Sequence, residues 1–435
     1  MTTTISELEV KGQAARAAAR KLATLSTAVK DRALNAIAGA LLAHEAEVLA
    51  ANAQDCEEGR RNGLGEHVLE RLLLTHERLQ GIAGDVRSVA LLPDPVGEMF
   101  DVRTLPNGML VGRQRVPLGV IGAIYEARPN VTVDIASLCL KSGSACLLRG
   151  GKEAIRSNLA LARVVAEAAV GEGVPEGAIQ LIENTDRALV GEMLKMRDVI
   201  DLMVPRGGAE LIRTVAENAT MPVLTGGTGV CHTYVDRAAE LEKAVRVAYN
   251  AKCRRPTICN ALDTLLVHRD VAEAFLPLIA QEWSKKDVEM RCDSASLRIL
   301  QEQGTRNKER GEGSGSWNLV PGSSQDFGRE FLDYVAAVKV VDSLDEALEH
   351  IYRYGTGHSD AIITEDLGAA SRFVREVDSA VVYVNASTQF TDGAQFGLGA
   401  EIIDSTQKTI ARGPVGLREI TTYKWVVLGD GHVRP

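Results

Sequence analysis

Apolar residues recur at three- and four-residue steps along the first part of the chain, which is the spacing of one face of a helix. In residues 7–52 the recurring positions are Leu22, Leu25, Val29, Leu34, Ile37 and Leu41. The helical pattern continues to about Arg87, and Asp94, Pro95 and Gly97 then interrupt it. We therefore predict a long helix over residues 7–52 and further helix up to the interruption.

Residues 99–117 have a different pattern, with two extended runs on either side of Pro106-Asn107-Gly108. Asn-Gly between apolar runs is a strong β-hairpin signal. The tail over residues 416–429 is also extended and is expected to pair with this hairpin. The hairpin either projects to pair with another subunit or is a simple surface hairpin, and the pattern alone does not choose between the two.

Strand and helix patterns alternate from residue 118 to 236. Strands are predicted at 118–124, 145–149, 178–183 and 199–204, and helices at 131–143, 152–170 and 187–196. Gly143 and Gly171 are expected to end the first two helices, and Gly207-Gly208 to open a further one. Short apolar runs that alternate with helices predict a parallel, doubly wound sheet.

A second alternating series begins near residue 239. Its helices are predicted at 239–250, 271–283 and 344–355, and its strands at 262–268, 336–342, 359–366 and 380–387. Residues 304–328 are rich in glycine, serine and charge and are predicted to be a loop or insertion. The chain therefore belongs to the α/β class, with two such sheets and a hairpin.

Length, charge and cysteine content limit the classes of function that the chain can have. A length of 435 residues suggests two or three domains, and a net charge of −9 makes nucleic acid an unsuitable partner. The N-terminal segment is charged, and no apolar stretch is long enough to span a membrane. The seven cysteines have neither disulfide-framework nor zinc-site spacing, so we expect free thiols, a reducing cytoplasm and no metal.

Cys259 is the strongest candidate for chemistry. It follows Pro256 and precedes a predicted buried strand, close to Arg254 and Arg255. Nearby cations favour the thiolate, which is the nucleophilic form of cysteine. A cysteine beside apolar residues is more typical of core packing, and Cys253 has the same charged neighbours.

Other candidates lie at predicted strand ends. Gly207-Gly208 precede a helix whose backbone N–H groups could hold a phosphate, although a full GxGxxG is absent. Arg149 and Lys152 suit the 2′-phosphate of NADP, or are solvated charge. Asn130 could donate to an oxyanion, or could simply start a helix.

These residues occur within longer runs that resemble the γ-glutamyl phosphate reductases of the aldehyde dehydrogenase superfamily. The runs are VPLGVIGAIYEARPNVTVDIASLCLKSGSACLLRGGKEAIRSN, DLMVPRGGAELI, NAKCRRPTICNALDTLLVH, YGTGHSDAIITED and ARGPVGLREITTYKW. They occur in order over nearly the whole chain. The resemblance implies an aldehyde dehydrogenase-like fold with two doubly wound parallel-sheet domains and a β-hairpin oligomerisation flap.

The resemblance also implies a division of the chain and a reaction. Residues 1–98 and 118–238 would bind NADPH, 239–399 would be catalytic, and 99–117 with 400–435 would form the flap of a homo-oligomer, a dimer or a dimer of dimers. The expected reaction is NADPH-dependent reduction of L-glutamyl 5-phosphate to L-glutamate 5-semialdehyde in proline biosynthesis. An upstream glutamate 5-kinase is a further expected partner.

The resemblance assigns roles to individual residues. Cys259 would be the nucleophile and Asn130 the oxyanion donor, and the family usually has other residue types at Cys253 and Arg254. The residues expected to bind NADPH are Arg149, Lys152, Gly207, Gly208, Gly226, Gly227 and Glu330. The residues expected to bind substrate are Arg128, Ser387, Thr388, Arg412 and Gly413, of which the loop 386–397 and Arg412-Gly413 carry the weakest argument.

One departure from ordinary aldehyde dehydrogenases bears on mechanism. Those enzymes carry a glutamate that activates water, and Leu224 occupies that position here, before Thr225-Gly226-Gly227. A water-activating base would hydrolyse a thioester before hydride reached it, so its absence fits reduction of an acyl phosphate. The alternatives are a CoA-acylating aldehyde dehydrogenase, against which YGTGHSDAIITED argues, and a non-enzymatic homologue acting as a binding subunit.

Overall fold

The computed structural model describes residues 6–309 and 317–434, and these form two compact units. The first unit takes in Met1–Gly226, Gly397–Ile403 and Pro414–Pro435, and the second takes in Gly227–Phe396 and Asp404–Gly413. The division differs from the boundary expected at residue 238. Residues 227–238 belong to the second unit because they contain a strand of its sheet.

The helices of the first unit cover most of its length outside the sheet. They are α1 (Glu7–Leu22), α2 (Thr27–Ala43), α3 (Glu45–Arg61), α4 (Glu66–Leu72), α5 (His76–Leu91), α6 (Asn130–Lys141), α7 (Ile155–Gly171), α8 (Ala188–Met193) and α9 (Ala209–Asn218). The single helix predicted over 7–52 is wrong, because the chain leaves the helix after Leu22 and again at His44. Leu22 in α1 and Leu34 in α2 are both buried, so the apolar periodicity continues across the first break.

The parallel sheet of the first unit agrees with the prediction. Its strands are β3 (Val120–Tyr125), β4 (Ala145–Gly150), β5 (Ile179–Leu181) and β6 (Leu202–Arg206), in the order β5-β4-β3-β6. All neighbouring pairs are parallel. The strand order reverses between β3 and β6, and the carboxyl ends of strands at such a point are where ligands bind in open α/β sheets.

The hairpin and its pairing with the C-terminal tail are confirmed. Strands β1 (Met99–Thr104) and β2 (Leu110–Pro117) are antiparallel, and β16 (Thr421–Leu428) pairs with β2 along its whole length. Gly108 has a φ of +92°, which a residue with a side chain rarely adopts. Around β2, the Arg113 guanidinium lies over the rings of Tyr423 (4.8 Å) and Trp425 (4.7 Å).

The second unit is built on a seven-stranded sheet. Its strands are β7 (Cys231–Val235), β8 (Leu262–His268), β9 (Glu289–Cys292), β10 (Leu319–Pro321), β11 (Val335–Val341), β12 (Ser359–Ile363) and β13 (Val381–Val384). Their order is β10-β9-β11-β8-β7-β12-β13, and every neighbouring pair is parallel. The remaining elements are α10 (Leu241–Cys253), α11 (Arg269–Ser284), α12 (Ser294–Glu309), α13 (Leu344–Tyr354), α14 (Leu367–Glu376), β14 (Asp404–Ser405) and β15 (Gly413–Pro414).

The loop predicted over 304–328 is wrong at its start and is interrupted by a short strand, whereas residues 322–328 are loop as predicted. Helix α12 continues to Glu309 and β10 lies within the predicted loop, while residues 310–316 lie outside the described residues. The helix was missed because its second half is polar. Within residues 6–309 and 317–434, no single helix is long and apolar enough to cross a membrane, although the bent pair α2 and α3 meets the length and composition criteria together.

Candidate active site

Four segments of the second unit meet at the amino edge of its sheet. Glu330 precedes β11, Cys259 precedes β8, Gly229 precedes β7 and His358 directly precedes β12. These strands are neighbours in the order β11-β8-β7-β12, and they are parallel. Residues that are far apart in sequence are therefore brought to one edge, with a cysteine among them.

The backbone of Cys259 is tightly packed. A β-carbon on Gly229 would lie 1.6 Å from the Cys259 carbonyl oxygen, so no side chain fits there. The same oxygen accepts a hydrogen bond from the Cys231 thiol at 3.3 Å. The Gly229 N–H donates to Glu330 Oε1 at 3.0 Å, which connects the residue expected to contact the cofactor to the segment beside Cys259. Cys259 itself is partly exposed.

A glutamine holds the chain before Cys259. Gln389 Nε2 donates to the carbonyl oxygens of Ala251 (3.1 Å) and Arg255 (3.0 Å), and its Oε1 accepts from Arg254 (3.2 Å). After Cys259, the Asn260 amide donates to the Thr391 carbonyl at 2.8 Å. The loop expected to bind substrate therefore also fixes the cysteine segment on both sides, a role that the sequence did not indicate.

The rival nucleophile is a core residue. Cys253 is 5% exposed at the end of α10, and burial raises its pKa to about 12. A thiol with such a pKa is protonated at neutral pH and is a poor nucleophile. Cys139, Cys146 and Cys231 are likewise buried.

A buried charged pair supports the segment that carries Glu330. Lys252 Nζ lies 3.8 Å from Asp263, and both side chains are buried. Asp263 accepts a hydrogen bond from the Phe331 N–H at 3.0 Å. Burial raises the pKa of Asp263 to about 7 and lowers that of Lys252, and burial also raises the pKa of Glu330. Asp263, Lys252 and Glu330 therefore all lie where burial disfavours their charged forms.

His358 and Asp404 are the residues of this edge that sequence reasoning missed. Cys259 Sγ, a ring nitrogen of His358 and a carboxylate oxygen of Asp404 lie within 4.8 Å of one another. The His358 Nδ1 is 2.9 Å from the Ser359 hydroxyl, and burial lowers the pKa of His358 to about 4. The imidazole is therefore neutral at pH 7. The only sequence signal was its place in the run YGTGHSDAIITED.

In the first unit, the predicted phosphate site faces a carboxylate. Gly208 caps the N-terminus of α9, as predicted, and its N–H donates to Glu126 Oε2 at 2.9 Å. A β-carbon on Gly207 would lie 2.5 Å from the same oxygen. Glu126 follows β3 and Gly207 follows β6, at the point where the strand order reverses. An acidic side chain thus uses the anion-binding geometry of this turn.

Arg149 and Lys152 lie where they were expected, at the carboxyl end of β4. Arg149 donates to the Thr185 carbonyl at 2.9 Å, but its buried Nε has no hydrogen-bond partner among the described residues. Burial lowers the pKa of Arg149. Lys152 is exposed. An incompletely paired guanidinium beside an exposed ammonium suits a phosphate.

Asn130 begins α6, so the helix-start interpretation of this residue also holds. Its amide donates to Asp134 Oδ2 at 2.9 Å, which leaves a second amide hydrogen for another acceptor. Asp134 is partly buried, and desolvation of its carboxyl group raises its pKa to about 7. The carboxyl group thus orients the amide. Arg128, in the same segment, is exposed.

The remaining predicted residues have structural contacts of their own. Ser387 accepts from the Gln389 N–H, Thr388 is fully buried, and Arg412 pairs with Asp378 at 2.8 Å. Gly413 has a φ of +76°. Gly226 and Gly227 lie on either side of the division between the units, and Leu224 is fully buried. Their proposed roles in binding stay predictions.

Comparison with known proteins places the chain among relatives of similar length. The aldehyde dehydrogenase family model matches residues 3–297. Gamma-glutamyl phosphate reductase of Dehalococcoides mccartyi is 54% identical over 434 residues, covering 100% of both chains. The protein of that name from Roseiflexus castenholzii is 55% identical over 432 residues, covering 99% of this chain and 100% of its own.

A solved structure confirms the expected fold. The crystal structure of gamma-glutamyl phosphate reductase from Thermotoga maritima is 46% identical in sequence and superposes with a TM-score of 0.93. It covers 99% of this chain, and this chain covers 100% of it. The chain therefore belongs to the aldehyde dehydrogenase family and, within it, to the gamma-glutamyl phosphate reductases.

Proposed function

We propose that this chain reduces L-glutamyl 5-phosphate to L-glutamate 5-semialdehyde with NADPH, releasing phosphate, as a step of proline biosynthesis. The full-length similarity to reductases of that name supports the substrate and the reaction. The observation that carries the mechanism is the partly exposed Cys259, whose backbone is fixed by Gly229, Cys231 and Gln389.

The reaction begins with the cysteine. The Cys259 thiolate attacks the γ-carbonyl carbon of the acyl phosphate, the bond from that carbon to the phosphate oxygen breaks, and a thioester forms. After reduction the carbon–sulfur bond breaks, which releases the semialdehyde and regenerates the thiolate. Two easier steps thus replace one difficult displacement. Asn130, whose amide is oriented by Asp134, is the proposed side-chain donor to the oxyanion, together with the Cys259 N–H.

The thioester must survive until it is reduced. Leu224 supplies an apolar side chain at the position of the water-activating glutamate of ordinary aldehyde dehydrogenases, and it is fully buried. Because no base acts on water from that position, phosphate rather than water exchanges with the acyl group in the reverse direction.

NADPH supplies the hydride when bound. The incompletely paired guanidinium of Arg149, with Lys152, fits the 2′-phosphate, and the turn at Gly207 and Gly208 fits a phosphate once Glu126 moves aside. Glu330 is proposed to hold the nicotinamide ribose. Gly226 and Gly227 are proposed to contact the cofactor through their backbone, and a β-carbon on Gly227 would lie 2.3 Å from Thr406 Cγ2.

The amino-acid end of the substrate needs partners for its α-amino and α-carboxylate groups. We propose Arg128, Ser387, Thr388, Arg412 and Gly413 for this role. Arg128 is exposed, whereas Arg412 is only partly exposed and would have to share its guanidinium with Asp378. Arg128 is therefore the first of these to test.

The flap supports a homo-oligomer, a dimer or a dimer of dimers. The sheet of β1, β2 and β16 exposes Met99, Val102, Tyr423, Trp425, Val427 and Leu428. Clustered apolar side chains of this kind mark protein interfaces. A glutamate 5-kinase that hands over the labile acyl phosphate remains a proposed partner, and seven free cysteines fit a reducing cytoplasm.

The reverse reaction separates this function from its alternatives. Glutamate 5-semialdehyde and NADP⁺ should give NADPH only when phosphate is added. If CoA replaced phosphate, the chain would be a CoA-acylating enzyme. If neither acceptor supported NADPH formation, the chain would be a binding subunit.

A further inference from the structure

Cys259, His358 and Asp404 bring together three different ligand types at one edge of the sheet. Their sulfur, nitrogen and oxygen atoms lie within 4.8 Å of one another. The donors of a tetrahedral zinc site are about 3.5 Å apart, given zinc–ligand bonds of about 2.0–2.3 Å. Rotation of the partly exposed Cys259 and Asp404 side chains would move their donor atoms by about 1 Å, which brings the three donors to the spacing of a zinc site.

The histidine gives an independent indication of a ligand. His358 is 2% exposed, and its Nε2 has no hydrogen-bond partner among the described residues. Nδ1 is already engaged with the Ser359 hydroxyl, which in turn is 2.7 Å from the Thr391 hydroxyl. Ligating histidines are typically oriented by such a contact on the other ring nitrogen. A buried polar atom without a partner is costly, and a ligand from outside the chain would satisfy Nε2.

We infer that Cys259, His358 and Asp404 form a binding site for Zn²⁺, and that the bound ion inhibits the enzyme reversibly. A set of one thiolate, one imidazole and one carboxylate suits zinc, with the fourth position left to water. Calcium and magnesium prefer oxygen ligands alone and are disfavoured by the sulfur and nitrogen. Binding displaces the thiol proton of Cys259 to solvent and involves no oxidation or reduction.

The inhibition, unlike the binding, rests on the proposed function. A sulfur bonded to Zn²⁺ cannot attack the acyl phosphate, so the occupied enzyme is inactive and a chelator restores it. The same bond shields the sulfur from alkylating agents. Two readouts therefore report on the site: zinc affinity, which does not need catalysis, and activity, which does.

The test measures Zn²⁺ binding by the reduced full-length chain in competition with a chromophoric chelator. One site per chain is expected in the unmodified protein. Cys259→Ser should abolish it, and Asp404→Asn and His358→Gln should each weaken it at least about tenfold, since even residues behind the ligands contribute that much. The control Cys292→Ser, a buried cysteine of β9, should leave it unchanged.

Cobalt identifies the ligands without relying on activity. Co²⁺ should give a thiolate-to-metal absorption band that is lost in Cys259→Ser and kept in Cys253→Ser. If His358→Gln does not fold, zinc binding by Asp404→Asn and the cobalt absorption band still test whether the metal binds at this site. Binding that survives Cys259→Ser, or no binding, would overturn the inference. Zinc binding at Cys259 without loss of activity would instead overturn the proposed nucleophile and leave the site standing.

Discussion

The proposed functional residues of the two units lie at different ends of the strands, at the carboxyl edge of the first sheet and at the amino edge of the second. In the first unit Glu126 and Gly208 follow the carboxyl ends of β3 and β6, and Arg149 lies within β4, next to its carboxyl end. Ligands bind at these ends in open α/β folds. In the second unit Cys259 and His358 precede the amino ends of β8 and β12. The first edge is exposed and offers charges and helix ends, whereas the second is packed by backbone contacts.

This difference corresponds to two tasks. A cofactor must bind and leave, so partly exposed cations and a displaceable carboxylate at Glu126 are suitable. A nucleophile must be held in one position, and around Cys259, the proposed nucleophile, Gly229 and Gln389 fix the backbone from two sides. Substitutions at the packed edge should therefore lower kcat, and those at the exposed edge should raise KM for NADPH.

The largest effect is expected at the nucleophile. Cys259→Ser should lower activity by at least about a thousandfold, because a covalent nucleophile is lost. Cys292→Ser, with a cysteine in the core, serves as the control and should retain activity. The measurement is the steady-state rate in the reverse direction. Substantial activity in Cys259→Ser would remove the thioester from the mechanism.

The second-largest loss of activity is expected for Asn130→Ala. Removing one oxyanion donor costs about 100- to 1000-fold in kcat. Asn35→Ala is the matched control, because Asn35 is an exposed helix residue of α2. If KM rose while kcat stayed constant, Asn130 would be a substrate-binding residue and not an oxyanion donor.

Gly229→Ala tests the packing of the second edge. Its β-carbon would overlap the Cys259 carbonyl, and displacing a nucleophile by about 1 Å costs roughly a hundredfold in rate. Gly304→Ala is the control in the same unit, since the nearest atom to its β-carbon would be 4.0 Å away. The measurement compares the kcat of Gly229→Ala with that of Gly304→Ala, and only the first should be lowered. An active Gly229→Ala enzyme would show that the edge is not rigid.

Arg149→Gln tests the exposed edge. Loss of a charge-assisted contact to the 2′-phosphate should raise KM for NADPH by about tenfold or more and leave KM for NADH unchanged. Arg163→Gln, on the surface of α7, is the control. An equal rise for both cofactors would assign Arg149 to a shared part of the nucleotide.

The smallest effect concerns stability. The pKa of Asp134 is raised from 3.8 to about 7 in the folded chain, so the folded state holds a proton that the unfolded state has lost between these pH values. The free energy of unfolding should therefore fall as pH rises through this window, by up to about 1.4 kcal/mol per pH unit. In Asp134→Asn the urea denaturation series should be flatter over that range, whereas the exposed Asp430→Asn should follow the unmodified chain.

The sequence predicted those elements whose signal lies in a few neighbouring residues, and it missed those that depend on distant ones. The hairpin at Asn107-Gly108 and the helix start at Gly208 were predicted because turn and cap chemistry needs only neighbouring residues. The break between α1 and α2 was missed, since the apolar face continues through it. The polar helix α12 and the short strand β10 had too little apolar pattern to be recognised.

The cysteine edge shows the limit most clearly. Gly229 had no role predicted from the sequence, yet a β-carbon on Gly229 would lie 1.6 Å from the Cys259 carbonyl oxygen. Its contact with Glu330 and the cluster with His358 and Asp404 depend on the order β11-β8-β7-β12. That order is a property of the whole fold. The three donors are far apart in sequence, so they do not have the short residue spacing by which zinc sites are recognised.

The most direct test of the account is a single turnover in the reverse direction without phosphate. Glutamate 5-semialdehyde and NADP⁺ should give a burst of one NADPH per chain and then stop, and peptide mass spectrometry should find a glutamyl group on Cys259. Added phosphate should remove that group and restart turnover. Continued NADPH formation without phosphate, or a glutamyl group on any other residue, would contradict a water-shielded thioester at Cys259.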